Sequence, residues 1–331
     1  MTRKLAISLN WSDTFDLKGL IERAKIADAA GIHSIWVAET WGYDALTMLT
    51  AFAEHTSKIQ LATAIVNIYS RTPAALAQHF GTLDQLSNGR MILGLGTSSP
   101  QVVEHFHGVK FNPPLTRLKE TVEIINLLLS GSALNYDGKL FKMSRGFKLR
   151  FEPVRKRIPI WIASLNSKSV EFTARHTEGW LPSMIPLGGL GQAIKEFRAI
   201  VKAAGRGPNE VEVKSPGHVT VTNTPDRARA SHAGTVAFYA ARMGTFYSEQ
   251  LARYGFESDA AKIKEAWSTG GAKAGIAAAS EKLLTELGYI GGLEGALERL
   301  QAQDQAGVDV HTVEIDATSP AEFERIVAKF L

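Results

Sequence analysis

The chain has 331 residues, 45% hydrophobic and 21% charged, an ordinary globular balance that excludes collagen-like, coiled-coil and long disordered readings. Its 37 Lys and Arg against 33 Asp and Glu leave a formal charge of +4, too weak and too scattered to point to nucleic acid as a partner. With no cysteine there is no disulfide framework, no thiolate metal site and no cysteine nucleophile.

The apolar run Lys4-Leu5-Ala6-Ile7-Ser8-Leu9 reads as a strand. It follows Met1-Thr2-Arg3 directly, with no apolar centre of a signal peptide between them. A helix over about residues 16–30 comes next, with Leu17, Leu20, Ile21, Ala24 and Ala27 on one face and Gly31 as its stop. Residues 34–38 give a second strand, about 44–56 a second helix, and 59–65 a third strand. The third helix has Thr72 as N-cap, Pro73 at its first position and Asn88-Gly89 as its end. Residues 91–95 form the fourth strand, and Leu115, Leu118, Val122, Ile125 and Leu129 make the apolar stripe of the fourth main helix. Asn135-Tyr136-Asp137-Gly138 then reads as a hairpin, because Asp-Gly favours a tight turn.

The alternation resumes with strands at 158–163, 180–184 and 211–222 and helices at 167–176 and about 192–204. Residues 226–289 are Ala-rich, helical and longer than a crossover requires. A helix at 293–306, a strand at 310–315 and a helix at 320–330 close the chain, the last opened by the capping box Ser319-Pro320-Ala321-Glu322. Eight strands alternating with helices predict an α/β fold, a (β/α)8 barrel with a hairpin after the fourth helix and a helical insertion after the seventh strand, as one domain over 1–331. The rival is a doubly wound open sheet. Against it, Gly94-Leu95-Gly96-Thr97-Ser98-Ser99 lacks the third glycine of a dinucleotide fingerprint and follows the fourth strand, not the first. No apolar run approaches the ~18–20 residues of a membrane span. A cytoplasmic protein with a small-molecule substrate is expected.

In such a barrel function lies in the loops after the strands. These loops bring Asn10, Trp11, Glu39, Thr40, Trp41, Asn67, Gly96, Thr97, Ser98, Gln101 and the turn Ala163-Ser164-Leu165-Asn166-Ser167 to one end. The set is polar and aromatic with few acid or base groups, and suits a flat heteroaromatic with a polar tail. Glu39 reads either as a functional carboxylate or as a helix-capping, salt-bridging one. The turn at 164–167 reads either as a helix cap or as a phosphate site built on free N–H groups. Trp36 reads as core. His105 and His107, two apart, do not share a helix face as metal ligands do. No Gly-x-Ser-x-Gly or His-Glu-x-x-His motif is present, so reactivity is expected to come from a cofactor.

Several segments resemble the luciferase-like flavin and deazaflavin oxidoreductases. They are Trp36-Val37-Ala38-Glu39-Thr40-Trp41-Gly42-Tyr43, Arg71-Thr72-Pro73-Ala74, Leu83-Asp84-Gln85-Leu86-Ser87-Asn88-Gly89-Arg90, and Pro159-Ile160-Trp161-Ile162-Ala163-Ser164. Ser99-Pro100-Gln101-Val102-Val103-Glu104-His105-Phe106-His107-Gly108 is similar to the branch that uses coenzyme F-420, an 8-hydroxy-5-deazaflavin. The resemblance implies the same barrel, with the cofactor ring at its top against a bulge in the third strand. It also implies a non-proline cis peptide at Ala64-Ile65. Glu39 and Thr40 stand where deazaflavin relatives often show Asp-His. Asn67, Thr97 and Ser98 match positions that bond the ring edge and ribityl chain, and Ala163, Ser164, Leu165, Asn166 and Ser167 match the phosphate turn. Asn10, Gly96 and Gln101 complete the expected cofactor set. Glu39 is the first choice for proton transfer, His107 the second, with Trp41 walling the pocket and 235–254 as substrate cover. The implied protein is a homodimeric F-420-dependent oxidoreductase acting on an alcohol, carbonyl or activated double bond. The alternatives are an FMN-dependent monooxygenase and a cofactor-binding protein without turnover.

Overall fold

Short apolar runs too brief for helices form the strands, and amphipathic segments between them form the helices that cover the strands on the outside. The computed structural model describes residues 3–9, 17–111 and 113–330. In chain order, β1 (Lys4–Ser8), α1 (Leu17–Ala29), β2 (Ser34–Val37), α2 (Ala45–His55), β3 (Gln60–Thr63), β4 (Val66–Asn67), α3 (Pro73–Leu86) and β5 (Met91–Gly96) form the first half. A short α4 (Pro100–His105), α5 (Pro114–Leu129) and the hairpin β6 (Leu134–Asp137) and β7 (Lys142–Phe147) lead to β8 (Ile160–Ala163). Then come α6 (Ser167–His176), β9 (Gly179–Leu181), α7 (Leu187–Ala203), β10 (Glu212–Val213) and β11 (Val219–Thr222). The insertion holds α8 (Pro225–Arg242), α9 (Phe246–Arg253), α10 (Glu257–Ala277), α11 (Glu281–Leu287) and β12 (Tyr289–Gly291). The chain closes with α12 (Leu293–Ala306), β13 (Val310–Asp316) and α13 (Pro320–Val327).

The strands run parallel in the order β10-β9-β8-β5-β3-β2-β1-β13-β11-β12, with β4 beside β5. The ring closes where Lys214 bridges Val310 in parallel, its N–H donating to Trp180 O at 3.1 Å while Ser215 N–H donates to Val310 O at 2.9 Å. β10 and β11 are therefore two halves of one barrel strand, broken at Pro216-Gly217. A Cβ at Gly217 would lie 2.0 Å from Leu287 O, so only glycine lets the strand pass the end of α11. Ala6, Trp36, Ala62, Ile92, Trp161, Leu181 and Val310 fill the lumen, while Leu5, Ile7, Ile35, Val37, Val313 and Ile315 face the helices.

The barrel, the hairpin and the helical insertion stand as the sequence predicts, and several local readings are corrected. The third strand is broken at Ala64-Ile65, where the resemblance placed a bulge and a cis peptide, and so ends before residue 65. α7 begins five residues earlier than its pattern suggested, through Gly188, Gly189 and Gly191, whose low helix propensity tertiary packing overrides. α4 and β12 were not expected at all. The hairpin turn is a wider loop over 138–141, because Asp137 pairs with Lys142 and Gly138 N–H donates to Phe141 O. Glu120 of α5 holds this loop, accepting N–H bonds from Lys139, Leu140 and Phe141. Thr72 caps α3 and Ser319 caps α13 as read from the sequence, although Glu322 reaches back to Thr318 N–H rather than to the cap. Among the described residues no helix is long and apolar enough to cross a membrane.

Candidate functional site

The break in the third strand is the dominant feature of the barrel's carboxyl end. β3 pairs with β5 at Leu61–Met91 and Ala62–Ile92, and β4 at Val66–Leu95 and Asn67–Gly96, so the β3–β4 side carries one extra residue. Ala64-Ile65, inside this bulge, is a cis peptide. Thr63 Oγ1 donates to Gly94 O at 2.8 Å and accepts from Gly94 N–H at 2.9 Å. A Cβ at Gly94 would lie 1.8 Å from Thr63 O, so the close crossing needs glycine. One level higher, a Cβ at Gly96 would lie 3.1 Å from Ile65 side-chain atoms and 3.3 Å from Ala163 Cβ. Ala64, Ile65, Gly96 and Ala163 thus form a floor of small and apolar groups over Trp36 and Trp161, whose rings meet edge-on at 5.2 Å.

Polar groups rim this floor. Asn67 Oδ1 accepts N–H bonds from Tyr69 (2.9 Å) and Ser70 (2.8 Å), which turns its Nδ2 to His107 Nε2 at 3.1 Å. His107 Nε2 is thereby the acceptor, and its ring proton sits on Nδ1. Thr97 and Ser98 are half-buried, and Ser98 has a left-handed φ of 57°. Ser99 caps α4. In the β8–α6 turn, Ser164 faces inward, its hydroxyl 3.0 Å from Thr173 Oγ1 and its carbonyl accepting from Trp180 Nε1. Leu165 O accepts from Arg253. Asn166 is the N-cap, accepting from Ser169 N–H at 3.0 Å. The first-turn N–H groups of Ser167 and Lys168 have no partner within the helix.

Glu39 is held among partners from the neighbouring loop and helix. Both its oxygens take the Arg71 guanidinium, at 2.6 and 3.0 Å, and Oε2 also accepts from Ala45 N–H. Arg71 holds Asp44 as well, so one guanidinium ties both carboxylates to the start of α2. Of the other expected residues, Thr40 is half-buried and Gln101 is exposed against Gly244. Trp41 is exposed and packs edge-on to Phe238 of α8 at 5.7 Å. Asn10 and Trp11 lie outside the described residues.

The insertion reaches over three of these loops: Phe238 on Trp41, Met243 on Ser99 and Arg253 on Leu165. Across the lumen lies a group that sequence reasoning missed. Lys214 is buried, with Nζ bonded to Thr312 Oγ1 and 5.2 Å from the Trp36 ring. Burial pushes its amine down to about 8, opposed by the charge of Glu314. Glu314 accepts from Thr220 Oγ1 at 3.1 Å and lies 3.8 Å from His218 Nδ1. The period-two rule could have found both: Val213 and Val313 face helices, so Lys214 and Glu314 face inward.

A closed barrel with a broken third strand, a small-residue floor and polar loops at one end is the architecture of an enzyme that seats a flat ligand at its mouth. A family model described as luciferase-like monooxygenase matches residues 5–310, and the chain belongs to that family. It is similar to a Mycobacterium tuberculosis protein named as a coenzyme F-420-dependent oxidoreductase, 27% identical over 94% of each chain. It is also similar to the 5,10-methylenetetrahydromethanopterin reductase of Archaeoglobus fulgidus, 29% identical over 86% of this chain and 85% of that one. Among solved structures, the coenzyme F-420-dependent tetrahydromethanopterin reductase of Methanopyrus kandleri superposes with a TM-score of 0.82 over 99% of this chain and 97% of that one, at 22% identity.

Proposed function

We propose that the protein is a coenzyme F-420-dependent oxidoreductase that transfers a hydride between the deazaflavin and a small alcohol, carbonyl or activated double bond. The observation that carries this reading is the broken third strand with Ala64-Ile65 and Gly96 as a floor, in a chain similar over 94% of its length to a protein named for coenzyme F-420. The residues present fit the group: small side chains admit a flat ring, and Asn67, Thr97 and Ser98 supply amide and hydroxyl groups for its edge and ribityl chain. The N–H groups of Ser167 and Lys168 at the start of α6 suit a phosphate. Ser164 contributes its backbone to this turn, since its hydroxyl is spent on Thr173.

When bound, a deazaflavin supplies a two-electron centre that exchanges hydride. The chain's own part is to hold ring and substrate at reacting distance, which can supply roughly 7–11 kcal/mol of the barrier. Asn67 and His107 fix each other at the ring edge, Arg71 and Glu39 brace the loop that carries Trp41, and Trp41 with the insertion walls the substrate. Assembly as a homodimer in the cytoplasm belongs to the same reading.

Competitive binding tests it. Purified protein offered equimolar coenzyme F-420 and FMN is expected to retain F-420, seen by its absorption and fluorescence. Retention of FMN in preference would replace the reading with a flavin monooxygenase, and binding of neither would remove both.

A further inference from the structure

Among the described residues, three carboxylates stand at the carboxyl ends of the barrel strands near the mouth: Glu39, Asp316 and Glu314. Two are committed. Glu39, 9% exposed at its side chain, is forked to Arg71. Asp316, 17% exposed, takes Arg227 and the hydroxyls of Thr222 and Thr224. Glu314 is 39% exposed, although Val313 and Ile315 beside it are buried. Among the described residues, its Oε2 accepts one hydroxyl bond from Thr220, and its Oε1 has only His218 at 3.8 Å, beyond hydrogen-bond length. It shares the lumen face with Thr312 and Val310, one step above the hydroxyl that holds Lys214. A carboxylate on a rigid strand, facing a lumen open to water and with a free oxygen, is placed to exchange a proton both with a ligand and with solvent.

Resting on the hydride-transfer reading above, we propose that Glu314 is the catalytic residue that carries the substrate's proton, with Lys214 as the positioning residue beneath it. In alcohol oxidation the carbinol C–H bond breaks with its electron pair passing as hydride to the ring. The O–H bond breaks with its proton passing to the Glu314 carboxylate, and a C=O bond forms. In carbonyl reduction the same transfers run backwards. Glu314 then exchanges its proton with water at the mouth. Lys214, hydrogen-bonded to Thr312 and stacked over Trp36, places a cation under this carboxylate and holds its charge on the lumen side, while His218 and Thr220 flank it.

The test begins with the unaltered protein. Carbodiimide with glycine ethyl ester, read by peptide mass spectrometry, is expected to modify Glu314 ahead of Glu39 and Asp316. Saturating coenzyme F-420, with occupancy followed by its fluorescence, is expected to protect Glu314. Glu314→Gln should then bind F-420 like the parent while losing roughly 100-fold in kcat on a panel of secondary alcohols and ketones, with KM little changed. Lys214→Met should lose kcat too, without losing F-420 affinity. Equal labelling of all three carboxylates, labelling of Glu314 that bound cofactor does not slow, or parental kcat in Glu314→Gln would overturn the assignment. Failure of F-420 to bind is visible before labelling and would sink the cofactor reading instead.

Discussion

At the amino-terminal end of the barrel, the Arg90 guanidinium donates to the carbonyls of Ser87, Ile59, Ala53 and Thr56 and to the Thr56 hydroxyl. Beside it, buried Asp84 takes both Arg155 and Met91 N–H. At the carboxyl end, by contrast, the strands carry a cis peptide, a left-handed Ser98, a buried amine and a half-exposed carboxylate. At the first end these polar groups are held by the chain itself; at the second, beside committed groups such as Glu39 and Asp316, a buried amine and a half-exposed carboxylate face the lumen. That division is the one expected of a barrel stabilised from below and functional above. It also explains an apparent oddity: Leu83 through Arg90, which carries much of the family resemblance, touches no part of the candidate site. Its residues close the amino-terminal end of the barrel.

The largest effect that would break this comparison belongs to the amino-terminal end. Arg90→Ala leaves several loop carbonyls without their donor and should lower unfolding free energy by about 3–5 kcal/mol, measured by urea denaturation, with F-420 affinity unchanged. A parallel loss of affinity would mean that the two ends are not separable.

A smaller effect, of opposite sign, sharpens the comparison at the mouth. Lys214 has its folded-state amine pushed down from 10.5 to about 8. Between those values the unfolded chain binds more protons, so this group's contribution makes stability rise with pH across that window and weaken as pH falls through it. Below it, the buried charge costs about 3 kcal/mol at 1.36 kcal/mol per unit. Lys214→Met should therefore be more stable than the parent at neutral pH by up to that amount. The gain should fade as pH rises above 8 and vanish near the ordinary lysine value. A flat difference across pH, followed by thermal unfolding, would show that the amine is not charged at cost. A residue whose replacement stabilises the protein while slowing it is being kept for what it does.

The barrel was legible because its strands are apolar runs and its helices carry caps, such as Thr72 and Ser319, whose chemistry is local. Small elements were not: α4 is one short helix behind Pro100, β12 is three residues long, and the start of α7 hides behind three glycines. The position of the strand break at Ala64-Ile65 came from the resemblance, and neither composition nor periodicity marks it. Glu39 looked like the strand-end carboxylate most worth attention, because nothing in the sequence reveals that Arg71, 32 positions later, folds back to fork it. Ser164 read as part of a cap or phosphate turn, and nothing in the sequence reveals that Thr173, nine positions later, takes its hydroxyl. Glu314 and Lys214 escaped notice because each alternates with apolar neighbours beside other charges, Glu212 and Asp316, and the closed ring is what brings the two into one lumen.

The central claim is that the floor at Gly96 receives a flat ring, and Gly96→Val tests it most directly. The added methyl groups must displace Ile65 or fill the floor, while the barrel below is untouched. The expected result, by fluorescence titration with coenzyme F-420 beside a thermal melt, is a melting temperature close to the parent's and affinity weakened by roughly 100-fold. Parental affinity in a folded Gly96→Val protein would contradict it.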